Sequence, residues 1–259
     1  MLEKFIKAKQ DEIEFLKKLD KKGKFPEPYN GKKNRFKEAL NKKQGIIAEY
    51  KRGSPSLGII NDKLSVEECT LGYQESGAIG VSILTEEKYF FSSIEYLNRL
   101  NEINIPVLRK DFIIDTLQIR YTASTCASGI LIIVKLFEKR YQDLMYLIDY
   151  SKLMALEPIV EINNLDELYI ARECGAEIIL VNNRNLDTLN IDINTSKRLI
   201  ENKEDNEIWI AASGLSKIDD IKDMFLIGYN ACLMGTYLMK SIYPPQKLRE
   251  MVSKLNELY

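Results

Sequence analysis

Short apolar runs recur along the chain at a near-regular interval, each five or six residues long. They are Ile46–Lys51, Ile79–Leu84, Ile105–Lys110, Ile130–Lys135, Glu157–Glu161, Glu177–Asn182, Ile208–Ala212 and Asn230–Met234, eight runs starting 20 to 33 residues apart. Most are rich in Ile, Val and Leu, as strands buried on both faces should be. Between them, helical spacing of apolar positions predicts helices over Ser65–Ser76, Ser92–Asn101, Thr116–Ala127, Lys139–Leu153 and Leu165–Cys174. Gly77, Gly129, Gly175 and Gly228 stand where such helices run out. Glycine there adopts the left-handed cap conformation without a Cβ penalty. Eight β-then-α units in 259 residues predict an α/β fold, a (β/α)8 TIM barrel. A doubly wound sheet is the runner-up, though it rarely has eight such evenly spaced units.

The first 45 residues precede this pattern. Leu2, Phe5, Ile6, Ile13, Leu16 and Leu19 fall at helical spacing and predict an amphipathic helix. The expected organisation is an N-terminal helical extension over 1–45 packed on a barrel over 46–259, together one structural domain. The extension holds 14 Lys and Arg against 7 Asp and Glu, a net +7, leaving 23 against 31, or −8, for the rest. Two readings follow: a solvated cationic helix and loop on a mildly acidic barrel, or a cationic lid steering an anionic substrate toward one mouth.

Composition narrows the chemistry. The whole chain carries a net charge of −1, which argues against a generally cationic nucleic-acid binder. It contains no histidine, which removes His-based triads, the usual zinc sites and imidazole acid–base work. Proton transfer then falls to Lys, Glu, Asp, Tyr or Cys with adjusted pKa values. Cys69, Cys126, Cys174 and Cys232 are widely spaced, with no CxxC pair, and read as buried reduced thiols. Met1–Lys24 is charged throughout and no run approaches 18 apolar residues, so neither a secretory leader nor a membrane span is expected. The expectation is a soluble, cytoplasmic protein.

Reactive groups in such barrels sit at the C-terminal ends of strands, and side chains two apart share a face. The first strand ends with Glu49 and Lys51 on one face. The third places Leu108, Lys110 and Phe112 on one face, and Arg109 and Asp111 on the other. The fifth ends in Glu161, and the sixth presents Asn182 with Arg184. Burying so many charges for stability alone is costly, so their convergence on one mouth points to catalysis; a structural ion-pair ring is the alternative. After the seventh and eighth strands come Ser213-Gly214-Leu215-Ser216 and Gly235-Thr236. Small residues with glycine let backbone amides approach an anion where barrels frequently hold a phosphate. Arg52-Gly53-Ser54-Pro55-Ser56 is placed to close over the same region. The expected partner is a small phosphorylated molecule.

The residues at this point resemble a family. Ile47-Ala48-Glu49-Tyr50-Lys51-Arg52 with Ser54-Pro55-Ser56, Ser82-Ile83-Leu84-Thr85-Glu86 and Leu108-Arg109-Lys110-Asp111-Phe112 look like indole-3-glycerol phosphate synthase. So do Glu157-Pro158, Val160-Glu161-Ile162-Asn163, Asn182-Asn183-Arg184-Asn185-Leu186, Ser213-Gly214 and Met234-Gly235, in the family's order from strand one to strand eight. The resemblance implies a (β/α)8 barrel with an N-terminal extension. It also implies a carboxy-lyase of tryptophan biosynthesis that converts 1-(2-carboxyphenylamino)-1-deoxyribulose 5-phosphate to indole-3-glycerol phosphate. That reaction is ring closure, decarboxylation and dehydration, with no metal and no organic cofactor.

Carried onto this chain, the resemblance makes Glu49, Lys51, Lys110, Glu161 and Asn182 the catalytic candidates. Lys110, crowded by Lys51 and Arg184, is expected to have a depressed pKa suited to an acid at the ribulose carbonyl. Lys51 binds the substrate carboxylate and serves as a second acid, the division between the two lysines staying open. Glu161 is the base, Glu49 orients Lys51 and the hydroxyls, and Asn182 binds hydroxyls. Phe90, Phe112, Leu131 and Ile133 form an apolar wall for the anthranilate ring, or else ordinary barrel core, and Arg184 holds the local charge network. Ser54, Ser56, Ser213, Gly214, Gly235 and Thr236 are the phosphate candidates. Nucleic acid and membrane are not expected as partners, and the chain reads as a monomer or weak homo-oligomer.

Two departures stand out. Ala212 occupies the place of a family glutamate before Ser213-Gly214, and Phe91-Ser92 replaces a glycine pair after the second strand. A lost carboxylate supports the alternative of a catalytically impaired or silent phosphate-binding relative on the same barrel. A sugar-phosphate isomerase fits poorly, because phosphoribosyl isomerases of this fold use Cys or Asp at the first strand, where this chain has Glu49 and Lys51.

Overall fold

Runs of Ile, Val and Leu bury both faces only beneath a layer of helices, and here they do so by closing on themselves. The computed structural model describes residues 2–257. Its barrel strands are β1 (Gly45–Tyr50), β2 (Gly80–Leu84), β3 (Val107–Lys110), β4 (Gly129–Ile133), β5 (Glu157–Ile162), β6 (Ile178–Asn182), β7 (Ile208–Ala212) and β8 (Ala231–Met234). They pair in parallel in chain order, and β8 returns to β1 with Ile46 opposite Cys232 and Ile47 opposite Leu233. The architecture is the expected (β/α)8 barrel.

Each expected run lies within two residues of its strand, and the differences have local causes. Pro106 offers no N–H to the ladder, and β3 begins after it, at Val107. After β4 the chain tightens into a 3₁₀ turn over Val134–Phe137, which turns Lys135 outward to Asp187, 3.2 Å away. Gly129 is no helix cap but the first residue of β4; a Cβ there would meet the Phe36 ring at 2.9 Å. Gly77, Gly175 and Gly228 do take positive φ, at 92°, 77° and 113°.

The surrounding helices are α1 (Leu2–Lys21), α2 (Phe36–Lys42), α3 (Val66–Glu75), α4 (Thr116–Ala123), α5 (Tyr141–Leu153), α6 (Leu165–Glu173), α7 (Asn194–Leu199), α8 (Ile218–Leu226), α9 (Thr236–Met239) and α10 (Pro244–Asn256). Capping boxes start α3 at Ser65 with Glu68 and α4 at Asp115 with Gln118. Helix α4 stops four residues short of expectation. Beyond it the hydroxyls of Ser124 and Thr125 bond back to the carbonyls of Tyr121 and Thr122 at 2.7 and 2.8 Å. The helix expected over Ser92–Asn101 is a 3₁₀ segment over Ile94–Arg99, capped by Ser93.

Helix α1 packs along α4 on the barrel flank, joined at its far end by Asp20–Arg120 at 2.7 Å. The chain then crosses beneath the barrel, where Phe36 plugs the end at which the strands start, against Gly80 and Gly129. The Glu157 carboxylate accepts from the Phe36 and Lys37 amides at 2.5 and 3.1 Å, closing that end over the first turn of α2. All four cysteines are buried and unpaired. Among the described residues no helix is long and apolar enough to cross a membrane.

Candidate active site

Side chains along a barrel strand alternate between the interior and the helix layer, so the last inward residue of each strand faces the mouth. At this mouth a cavity of about 450 Å³ opens, within the range of small-molecule sites. Glu49, Lys51, Lys110, Glu161 and Asn182 all line it. So do Phe90, Phe112, Leu131, Ile133, Arg184, Ser54, Ser56, Ser213, Gly214, Gly235 and Thr236. Strand order sorts these groups. The aromatic and aliphatic side chains gather by β3 and β4, across the barrel from the glycine-rich loops of β7 and β8. The carboxylates of Glu49 and Glu161 stand on β1 and β5, between those two sides.

The charged groups form a linked set. Glu49 lies 3.2 Å from the Lys51 ammonium and 3.6 Å from that of Lys110. Glu161 accepts from the Asn182 amide at 2.8 Å, while its other oxygen is buried with no hydrogen-bond partner. Asn182 Oδ1 in turn accepts from the Arg184 amide at 3.0 Å, and the Arg184 guanidinium donates to the Leu189 carbonyl at 2.9 Å. Burial works against the Glu49 charge, but Lys51 and Lys110 outweigh it and hold this carboxyl below the usual range. Burial pushes Glu161 up, opposed in part by Lys110 and Asn182. Lys110 corrects a sequence expectation. Desolvation and Arg184 do act to lower it, yet the carboxylates of Glu49 and Glu161 prevail and raise its pKa above the ordinary lysine value.

The backbone around these groups is tightly determined. Gly235 lies against Glu49, and a Cβ there would overlap Oε1 and come within 3.1 Å of the Glu49 Cβ. Gly235→Ala is therefore expected to drive Glu49 away from both lysines and lower kcat/KM roughly 10- to 100-fold, read by steady-state kinetics on protein with parental circular dichroism. Ser213 and Gly214 both adopt positive φ, at 68° and 81°, and the Asn183 side chain holds this turn by donating to the Ser213 carbonyl at 3.0 Å. Phe91 also sits at positive φ, 55°, the conformation a glycine takes without strain, and its ring covers Gly53. The loop after β2 thus keeps a glycine-type turn without the glycine.

Sequence reasoning missed several lining residues. Phe5 reaches the cavity from α1 and stacks on Phe112, with ring centroids 4.5 Å apart and planes 11° from parallel. Its amphipathic spacing marked it as buried, but nothing local linked it to β3. Lys240, just past α9, lines the cavity and adds a cation on the β8 side. Leu57, Leu189 and Ile191 contribute apolar rim from the loops after β1 and β6. Arg52, expected to close over the phosphate region, turns instead toward the Tyr96 hydroxyl at 3.3 Å. Ala212 ends β7 opposite Asn182 and Leu233 and faces the cavity without a polar group.

A closed (β/α)8 barrel with lysines and glutamates paired in a cavity at its C-terminal mouth has the form of a barrel enzyme. Comparisons with known proteins agree and go further. A family model described as indole-3-glycerol phosphate synthase matches residues 2–251. Proteins of that name are 40% identical in Aquifex aeolicus, over 80% of each chain, and 33% identical in Caldanaerobacter subterraneus, over 98% of each. The chain belongs to the indole-3-glycerol phosphate synthase family. Among solved structures, 3-hexulose-6-phosphate synthase from Salmonella typhimurium superimposes with a TM-score of 0.62 at 14% identity, covering 84% of this chain and all of that one. An N-acetylmannosamine-6-phosphate 2-epimerase from Clostridium perfringens gives 0.60 at 10%, covering 88% and 100%. Both likenesses concern the barrel fold.

Proposed function

We propose that the chain converts 1-(2-carboxyphenylamino)-1-deoxyribulose 5-phosphate to indole-3-glycerol phosphate, releasing carbon dioxide and water. The observation that carries the reading is the convergence of Glu49, Lys51, Lys110 and Glu161 in one cavity, in a chain of this family. The substrate has an aromatic carboxylate at one end and a phosphate at the other, and the cavity is divided in the same way. The ring lies against Phe90, Phe112, Leu131 and Ile133, with Phe5 extending that wall. The phosphate lies by Ser54, Ser56, Ser213, Gly214, Gly235 and Thr236, with Lys240 supplying charge.

The steps follow from the charges between these ends. Lys51 binds the aromatic carboxylate. As the ring carbon bearing that carboxylate attacks the ribulose carbonyl, Lys110 gives its proton to the developing oxyanion. A raised lysine pKa keeps that proton in place at neutral pH. Carbon dioxide then leaves and its bonding electrons return to the ring system. In dehydration the new hydroxyl departs as water with a proton from a lysine, while Glu161 takes the proton lost from the ring system. Burial raises the Glu161 pKa, which makes it a stronger base than an exposed carboxylate. Glu49 holds Lys51 and Lys110 in place, Asn182 binds hydroxyls and orients Glu161, and Arg184 balances the local charge.

These roles need no metal or organic cofactor, the substrate is a small phosphorylated molecule, and we place the protein in the cytoplasm as a monomer or weak homo-oligomer in which 1–45 and the barrel act as one domain. The direct test is indole fluorescence on adding the substrate to purified, folded protein; no turnover would falsify the reading. Ala212 is the main support for a silent relative, and the groups around it remain assembled. Ala212→Glu restores one acceptor for substrate hydroxyls. A single such bond is worth about 0.5–1.5 kcal/mol, so kcat/KM is expected to rise roughly two- to tenfold in the same assay.

A further inference from the structure

Lys9 is buried, at 2% exposure, and the chemistry above makes no use of it. It projects from α1 onto the outer side of β3, where its ammonium lies 2.7 and 2.9 Å from the two Asp111 oxygens and 2.7 Å from Glu12. Arg109, fully buried, bonds Asp111 at 3.1 Å and Glu12 at 2.6 Å. Thr85 donates to Asp111 at 2.5 Å, and the Phe112 amide donates to the same carboxylate at 2.8 Å. Against the burial that raises it, Lys9 and Arg109 pull the Asp111 carboxyl down to about 2. Two cations and two carboxylates therefore form a closed, neutral set with both Asp111 oxygens saturated.

Apolar residues of the same volume generally stabilise a core at least as well as a buried ion pair does. What this set adds is direction. Asp111 stands between Lys110 and Phe112, both of which face the cavity, and it binds the Phe112 amide itself. One helical turn before Lys9, Phe5 stacks on Phe112 from the same helix. We propose that Lys9 is a positioning residue of the active site: by clamping Asp111 from behind β3, it fixes where Lys110 and Phe112 enter the cavity and seats Phe5 in its wall.

The proposal rests on the synthase reading, so its test carries one readout independent of turnover. Lys9→Met, Lys9→Arg and the double variant Lys9→Met/Asp111→Asn are compared with the parent. The double variant orphans no carboxylate and leaves Arg109 paired with Glu12. Steady-state kinetics separate kcat from KM, and hydrogen exchange reads the Phe112 amide. Lys9→Met is expected to lower kcat/KM about tenfold or more, chiefly through KM, and to speed Phe112 exchange by a similar factor. Lys9→Arg restores most of both, and the double variant, folded by circular dichroism, behaves like Lys9→Met. Parental kinetics and exchange in the two Met variants overturn the proposal. So does global unfolding of both, which makes the set a stability element. A parent inert toward substrate instead defeats the synthase reading, and Phe112 exchange alone then decides the clamp.

Discussion

Lys110→Met is expected to leave a folded barrel that forms indole-3-glycerol phosphate about two to four orders of magnitude more slowly. Folding survives for a structural reason. Glu49 keeps its closer partner, Lys51 at 3.2 Å, and Lys110 sits at a cavity wall where its side chain retains 22% exposure. The loss falls on kcat because the proton is delivered only as the carbonyl oxygen becomes an oxyanion. An interaction made in the transition state and absent from the ground state leaves KM nearly untouched when it is removed. Indole fluorescence under saturating substrate, beside a thermal melt, measures both halves. An unchanged kcat would remove Lys110 from the acid role and transfer it to Lys51.

Glu161→Gln is expected to cost a similar factor, about two to four orders, and to change the pH profile as well. Glutamine keeps the oxygen that accepts from Asn182 at 2.8 Å, so the replacement removes the base and little else. In the parent, Glu161 must be ionised to act. Because burial raises its pKa, activity falls as pH drops through a value above the usual glutamate range. Lys110 must be protonated, and its pKa is raised, so the opposite limb lies above the ordinary lysine value. The parent profile should be broad, with its acid limb displaced upward. In Glu161→Gln that acid limb should vanish while the basic limb remains, as log kcat against pH will show. Persistence of the acid limb would assign it to another group.

Much of this site was legible because a parallel barrel turns linear order into spatial order. Once eight strands are placed to within two residues, the final inward side chain of each is known, and Glu49, Lys110, Glu161 and Asn182 follow directly. The glycine-rich turns after β7 and β8 were legible for the same reason. Lys51 was assigned to a strand that ends one residue earlier, at Tyr50, yet it still reaches Glu49. Arg52 illustrates the limit of that logic. A loop side chain has no pleat to aim it, and Tyr96, more than forty residues onward, captured it.

The protonation of Lys110 is not legible in the sequence for a related reason. Sequence spacing lists the cations near a lysine, Lys51 and Arg184, but does not give distances to carboxylates on other strands. Coulomb interactions depend on those distances, and Glu49 and Glu161 prove to govern the sign. Phe5 and Lys9 are a stronger case. Their helical spacing says only that one side of α1 is covered. That the covering surface is β3, the strand that carries Lys110 into the cavity, depends on how α1 docks along α4, which no local pattern encodes.

By itself, then, the sequence determined the barrel, the strand ends and the absence of histidine, and with them a mouth where lysine and glutamate gather and no imidazole is available to move a proton. Hydrophobic period and strand-end position are local properties, readable a few residues at a time. Only the tertiary structure decided which way those protons are held. It brought Glu49 and Glu161 to Lys110, set Gly235 against Glu49, turned Phe91 into a glycine's conformation, and placed Lys9 of the N-terminal helix behind Asp111. Charge, close approach and backbone strain are properties of pairs distant in sequence, and they acquire values only when the chain has closed.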